Sequence, residues 1–207
     1  MRHDGGVFGA LRGRYGRALA PMARLLIRMG LSPSTVTVLG AFGVLASALW
    51  FLPRGQLVAG ALSVMFFLLA DGLDGTMART AGRESRFGAF LDSTLDRMAD
   101  AALFVALAWW CIRSEDGVGA ALAAAALVAG FLVSYARARA EAEGWDASVG
   151  VFERTDRLVV TLAGTLAVGF GAPVWGLWLA LAVVVAGSTV TVVQRILAAA
   201  RASLTQG

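Results

Sequence analysis

Six apolar stretches, at about residues 35–52, 57–79, 87–112, 120–139, 158–170 and 175–197, follow one another with only short polar segments between them. A helix needs about 20 apolar residues to cross a hydrocarbon layer, so six spans would use roughly 120 of the 207 residues. The surplus is visible in the whole chain: 58% of residues are hydrophobic, only 15% are charged, and the mean hydropathy is +0.72. A soluble domain carries about 25% charged residues, so this chain has too little polar surface to cover a water-soluble globule. Disordered and collagen-like chains are excluded by the same hydrophobicity. The expected fold is all-α, a polytopic membrane protein of six transmembrane helices at about 35–200. With loops this short, 1–207 reads as a single membrane domain.

Before the first span lies a different pattern. Arg12, Arg14, Arg17, Arg24 and Arg28 alternate with Phe8, Leu11, Tyr15, Leu19, Met22, Leu25, Leu26 and Met29, mostly at three- and four-residue steps. This predicts an amphipathic helix at about 7–29 lying on an anionic membrane surface. No cleavable leader is expected, because residues 1–6 are polar and Gly-rich. Ser32 or Ser34 is the expected N-cap of the first span, with Pro33 in its first turn.

The net charge of +4 comes from 18 basic residues, all of them Arg. GC-rich codons would produce the same bias, but the placement carries information. With an even number of spans both termini share a side. That side receives fifteen Arg, from Arg2 through Arg28, then Arg79, Arg83, Arg86, Arg137, Arg139, Arg154, Arg157, Arg195 and Arg201. The other side receives only Arg54 and Arg113. The asymmetry predicts both termini in the cytoplasm of a bacterial plasma membrane protein. The basic residues suit topology and anionic lipid, and no nucleic acid is expected. Trp50, Trp109, Trp110, Trp175 and Trp178 fall near the opposite ends of the spans, as an interfacial aromatic belt would. The lone Cys111 cannot form an internal disulfide, and the lone His3 excludes a His-based metal site or triad.

Acidic residues inside spans cost roughly 2.5–3.5 kcal/mol each on insertion scales, yet Asp71, Asp74, Asp92, Asp96 and Asp100 all lie in spans two and three. Arg79 and Arg97 are too few to neutralise them. Asp71 and Asp74 stand at i, i+3 and Asp92 and Asp96 at i, i+4, on neighbouring antiparallel spans joined by a short loop. An all-oxygen cluster without His or Cys suits Mg²⁺ or Mn²⁺, and four carboxylates could hold two ions as a clamp for phosphoryl transfer. An ion-transport or proton-relay site would also use such carboxylates, but it would sit nearer the bilayer midplane. Asp100 continues the row, either supporting the ligands or pairing with Arg97. Gly72, Gly75 and Gly88 clear space for a ligand or a close backbone.

The stretch from Asp71 to Asp96 reads D-x2-D-G-x2-A-R-x8-G-x3-D-x3-D, and it resembles the signature of the CDP-alcohol phosphotransferases. The resemblance implies transfer of a phosphatidyl group from CDP-diacylglycerol to an alcohol with release of CMP, by a Mg²⁺- or Mn²⁺-dependent homodimer. It implies that Asp71, Asp74, Asp92 and Asp96 are metal ligands and that Asp96 is also the general base. It implies a nucleotide site of Gly75, Ala78 and Arg79, joined by Ser34, Thr35, Val36, Thr37 and Ser85. Arg79 can fork onto a phosphate.

For the acceptor, Ser134, Arg137, Arg139, Arg154, Arg157 and Arg195 come to the cytoplasmic rim of the later spans. Several guanidiniums suggest a second anionic group, a phosphate on the alcohol, though positive-inside topology alone would also place Arg there. The pattern SYxxARAE…ERxxR resembles the actinobacterial phosphatidylinositol phosphate synthases. That resemblance implies an inositol phosphate acceptor held by Ser134, Arg137, Arg157 and Arg195, with Arg154 nearby. Position 137 is often Lys in that group and is Arg here, which keeps the charge and changes the geometry. A phosphatidylglycerophosphate synthase using glycerol 3-phosphate is the rival reading, and a non-catalytic scaffold or ion carrier is the remote one.

Overall fold

The computed structural model describes residue 29 and residues 32–81 and 85–206; for residues 71–76, 78–81, 205 and 206 it describes the helical backbone alone. The amphipathic helix expected at about 7–29 lies outside the described residues, apart from Met29. Among the described residues regular structure is entirely helical: α1 (Pro33–Phe51), a 3-10 turn (Leu52–Arg54), α2 (Leu57–Ala81), α3 (Arg86–Arg113), α4 (Gly117–Ala142), α5 (Arg154–Gly169) and α6 (Trp175–Gln206).

Among the described residues three helical segments are long and apolar enough to cross a membrane: Pro33–Arg54, Gly117–Ala142 and Trp175–Leu204. Within α2 the described apolar stretch is Leu57–Ala70. α3 is long, but Asp92, Asp96, Arg97 and Asp100 lower its apolar character. α5 has 16 residues, about 24 Å at a rise of 1.5 Å per residue. The exposed surface is rich in large apolar side chains, among them Phe42, Trp50, Phe66, Trp109, Phe131, Trp175 and Leu179, as a protein solvated by lipid tails requires.

Ser32 caps α1, accepting a hydrogen bond from the Thr35 N–H at 3.1 Å with Pro33 next in line. The choice between Ser32 and Ser34 therefore falls to Ser32, because Pro33 lacks an N–H and fits the first helical position. α4 and α6 run further than their apolar stretches. α4 is extended by the ion pairs Arg137–Glu141 and Arg139–Glu143, and α6 by the Ala-rich run around residues 198–202.

The described residues fall into two compact units, one ending at Ala106 and one beginning at Leu107, so the division lies within α3. In the first unit α1 and α2 form an antiparallel hairpin whose buried seam is mostly small: Gly40, Ala41, Val44, Ser47 and Ala48 on α1, with Gly60, Ala61 and Val64 on α2. Small residues let helix backbones approach where lipid removes any hydrophobic drive between them. In the second unit α6 packs against both α4 and α5. Trp178 Nε1 donates to Asp116 Oδ2 at 2.8 Å, and Arg195 donates to the Val133 carbonyl. Each bond joins residues 62 apart, which fixes α4 and α6 as parallel neighbours in one register. Asp116 also caps α4 through the Gly119 N–H.

Candidate functional site

The site residues of the first unit lie on α1, α2 and α3. On α3 the buried stripe is Leu95, Ala99, Ala102, Leu103 and Ala106, the spacing of one helix face. Asp96 and Asp100 border that face, standing at i, i+3 to Ala99 and Leu103 and at i, i+4 to each other. Their side chains are 20% and 8% exposed, and Asp92, one turn earlier, is half-buried. Arg97 stands beside this row, with Nη2 3.6 Å from Asp96 Oδ2 and Nε 3.7 Å from Asp100 Oδ2. Asp100 is thus an ion-pair partner of Arg97.

Asp71 and Asp74 lie on the α2 backbone at i, i+3; their side chains are outside the described residues, as are those of Ala78 and Arg79. Among the described residues no three acidic, His or Cys side chains group as an ion site, which follows from half of the expected set being undescribed. The donor chemistry of Asp92 and Asp96 fits a hard divalent cation: two half-buried carboxylates one turn apart on one helix face, with oxygen donors alone.

Ser85 stands immediately before α3, and its hydroxyl accepts from the Gly88 N–H at 2.9 Å, which makes it an N-cap. At the start of α1, Ser34 and Val36 are half-buried and Thr35 is exposed, its hydroxyl 2.8 Å from that of Ser32. Thr37 is buried and donates to the Pro33 carbonyl at 3.1 Å. Sequence reasoning missed these local bonds of Ser85 and Thr37, though a Ser three residues before Gly88 is a readable cap signal.

The second unit gathers the expected acceptor residues more tightly. Arg157 on α5 is 2% exposed, and its guanidinium lies against Gly130 of α4, where an added Cβ would stand 3.4 Å from Nε. Gly130, Ser134 and Arg137 follow at i, i+4 and i+7 on one face of α4, and the Ser134 hydroxyl donates to the Gly130 carbonyl at 3.3 Å. Arg195 is 6% exposed and donates from Nε to the Val149 carbonyl at 2.9 Å as well as to Val133. Arg154 opens α5 and is half-buried. Arg137 is exposed and bonded through Nε to Glu141 Oε1 at 2.8 Å. Arg139, half a turn round the helix, pairs with Glu143.

What sequence reasoning missed is how the segment between α4 and α5 is held. The Val151 N–H donates to Gln194 Oε1 at 3.1 Å, and the Phe152 N–H donates to Thr191 Oγ1 at 3.1 Å. Gly187 leaves room for the Phe152 ring; a Cβ there would come within 2.6 Å of it. Asp156 then reaches back to the Glu153 N–H at 2.7 Å and starts α5. One face of α6, from Gly187 to Arg195, therefore sets where α5 begins, and with it the level of Arg154 and Arg157. Polar residues within an apolar stretch were the available signal.

Comparison with known proteins bears on both units. The profile of the family described as CDP-alcohol phosphatidyltransferase matches residues 30–186. A phosphatidylinositol phosphate synthase of Streptomyces avermitilis is 44% identical over 199 residues, covering 93% of this chain and 82% of that protein. The crystal structure of Mycobacterium tuberculosis phosphatidylinositol phosphate synthase with CDP-DAG bound matches with a TM-score of 0.84 at 40% identity, over 88% of this chain and 94% of that one. The same enzyme in complex with manganese and citrate gives a TM-score of 0.83 at 39% identity, over 87% and 88%.

Proposed function

The chain belongs to the CDP-alcohol phosphatidyltransferase family, and from that premise we propose that it transfers the phosphatidyl group of CDP-diacylglycerol to a hydroxyl of an inositol phosphate, giving phosphatidylinositol phosphate and CMP. It is an enzyme of phospholipid synthesis in a membrane. The observation that carries the acceptor assignment is the buried Arg157 against Gly130, on the α4 face that also bears Ser134 and Arg137. Nearly full burial of a guanidinium is unfavourable without an anionic or hydrogen-bonding role, and a topogenic charge would have no reason to be inside the protein.

Asp71, Asp74, Asp92 and Asp96 would hold Mg²⁺ or Mn²⁺, with room in their chemistry for two ions. Bound there, the metal offsets pyrophosphate charge and makes an alcohol hydroxyl more acidic. Asp96 takes the proton of the attacking hydroxyl. The hydroxyl oxygen bonds to the phosphorus that carries diacylglycerol, and the bond from that phosphorus to the CMP oxygen breaks, its electron pair leaving with CMP. Gly75, Ala78, Arg79, Ser34, Thr35, Val36, Thr37 and Ser85 receive the nucleotide. Ser134, Arg137, Arg154, Arg157 and Arg195 hold the acceptor's phosphate. Arg195 does so while also bracing Val133 and Val149.

The finer membrane arrangement belongs to the same proposal. α2, α3 and α5 complete six crossings with the three long apolar segments. Both termini and the carboxylates lie in the cytoplasm of a bacterial plasma membrane protein, as the Arg distribution supports. The 7–29 segment rests on anionic lipid, the whole of 1–207 serves as one catalytic domain, and the protein works as a homodimer.

The deciding experiment offers CDP-diacylglycerol to the purified protein with inositol 1- or 3-phosphate, free inositol, glycerol 3-phosphate or serine, and measures CMP release. Inositol phosphate is expected to be the best acceptor and free inositol a poor one. Preference for glycerol 3-phosphate would overturn the acceptor and leave the family standing. A companion measurement uses Arg157→Ala. Loss of a charge-assisted pair of about 2–3 kcal/mol corresponds to roughly a 30- to 150-fold rise in acceptor KM, with KM for CDP-diacylglycerol unchanged. Equal rises in both KM values would make Arg157 structural only.

A further inference from the structure

We propose that Glu141 is a built-in competitor for the acceptor's phosphate: it holds Arg137 when the site is empty, yields it to the phosphate, and takes it back as product leaves. This rests on the reading that places Arg137 in the acceptor grip, and it adds a specificity-determining residue to it. The geometry is direct. Arg137 shares the α4 face of Gly130 and Ser134, and its Nε donates to Glu141 Oε1 at 2.8 Å. The donor edge that would engage a phosphate is thus already bonded to a carboxylate. Both side chains are about half exposed, so the exchange needs no opening of the fold. The neighbouring pair Arg139–Glu143 has the same spacing but lies on the opposite side of α4, and it serves as an internal control.

A second negative group acts on the same guanidinium. Asp146 accepts from the Ser148 hydroxyl and N–H. Those two bonds hold its carboxyl below the usual carboxylate range, and the charge of Arg137 acts in the same direction. Arg137 therefore sits in a field of carboxylates before any acceptor arrives. A phosphate monoester bears nearly two negative charges at neutral pH and offers a guanidinium stronger and paired hydrogen bonds, so it can displace a single carboxylate where a weaker anion cannot. The competitor matters most after chemistry. The acceptor's phosphate is not consumed; it remains on the product, and whatever grips substrate grips product too. Return of Glu141 to Arg137 shortens that hold.

The test is steady-state kinetics on the full-length protein with CDP-diacylglycerol and inositol 1- or 3-phosphate at low ionic strength. Glu141→Gln removes one charge beside the guanidinium and keeps the side chain's size. It is expected to lower acceptor KM about 3- to 10-fold, the size of a unit-charge interaction across a few ångströms in a wet site. Inhibition by added phosphatidylinositol phosphate should strengthen by a similar factor, and KM for CDP-diacylglycerol should stay constant. Salt at about 0.5 M should shrink the difference. Glu143→Gln is expected to change none of these values. In an Arg137→Ala background Glu141→Gln should no longer lower acceptor KM. The competitor role is overturned if Arg137→Ala raises acceptor KM while Glu141→Gln leaves it unchanged or raises it. If Arg137→Ala itself leaves acceptor KM unchanged, Arg137 is not in the grip, and the underlying reading of that residue falls as well.

Discussion

Asp96→Asn is expected to lower turnover by about 10²- to 10⁴-fold, the usual contribution of a positioned general base, while CDP-diacylglycerol still binds. The substitution keeps the shape of the side chain and removes its ability to take a proton. Its structural side effects should be small. Arg97, which stands 3.6 Å from Asp96, keeps its pairing with Asp100, so the change leaves no buried charge abandoned on α3. Turnover and nucleotide binding measured on the same preparation separate the two effects. Turnover within threefold of the unsubstituted protein would remove Asp96 from the role of base.

Removal of divalent cations should have an effect as large. Excess EDTA is expected to reduce CMP release to background, and Mg²⁺ or Mn²⁺ should restore it. Zn²⁺ should substitute poorly, because the donor set is all carboxylate oxygen. In the proposed site, four acidic residues left without their cation would repel one another, so thermal stability should fall on chelation and recover with the metal. Full activity in excess EDTA would overturn the metal role of Asp71, Asp74, Asp92 and Asp96 together.

Much of the architecture was legible because lipid imposes simple rules. Apolar runs separated by Pro53–Gly55, Ser114–Gly117 and Gly171–Pro173 marked the helices to within a few residues, and the structure places helices there. The errors lie where polarity and helicity part company. α6 continues past Leu197, since alanine sustains a helix without being especially apolar. The row of Asp92, Asp96 and Asp100 was readable because its partners are one turn away on the same helix. So was the family, because the signature from Asp71 to Asp96 is contiguous. Arg137–Glu141 was readable by the same i, i+4 logic and was passed over. The bonds of Val149, Val151 and Phe152 to Arg195, Gln194 and Thr191 were not readable. They join residues 39 to 46 apart, and no local pattern encodes which backbone group a distant side chain will satisfy.

The dependence of that segment on α6 also orders the assembly of the chain in time. Synthesis is vectorial, and units tend to pack as they emerge. The hairpin of α1 and α2 has its partners within a short stretch of sequence and can settle early. The stretch from Val149 to Phe152 emerges with backbone groups whose eventual partners do not yet exist, and it must wait for some forty further residues before Thr191, Gln194 and Arg195 arrive. Until then its N–H and carbonyl groups can only be satisfied by water. The level of α5, and with it Arg157, is set late. A ribosome stalled between α5 and α6 would therefore carry a packed first hairpin and an unregistered Arg157, and a pulse of protease should cut such a nascent chain between α4 and α5 before it cuts anywhere within α1 or α2.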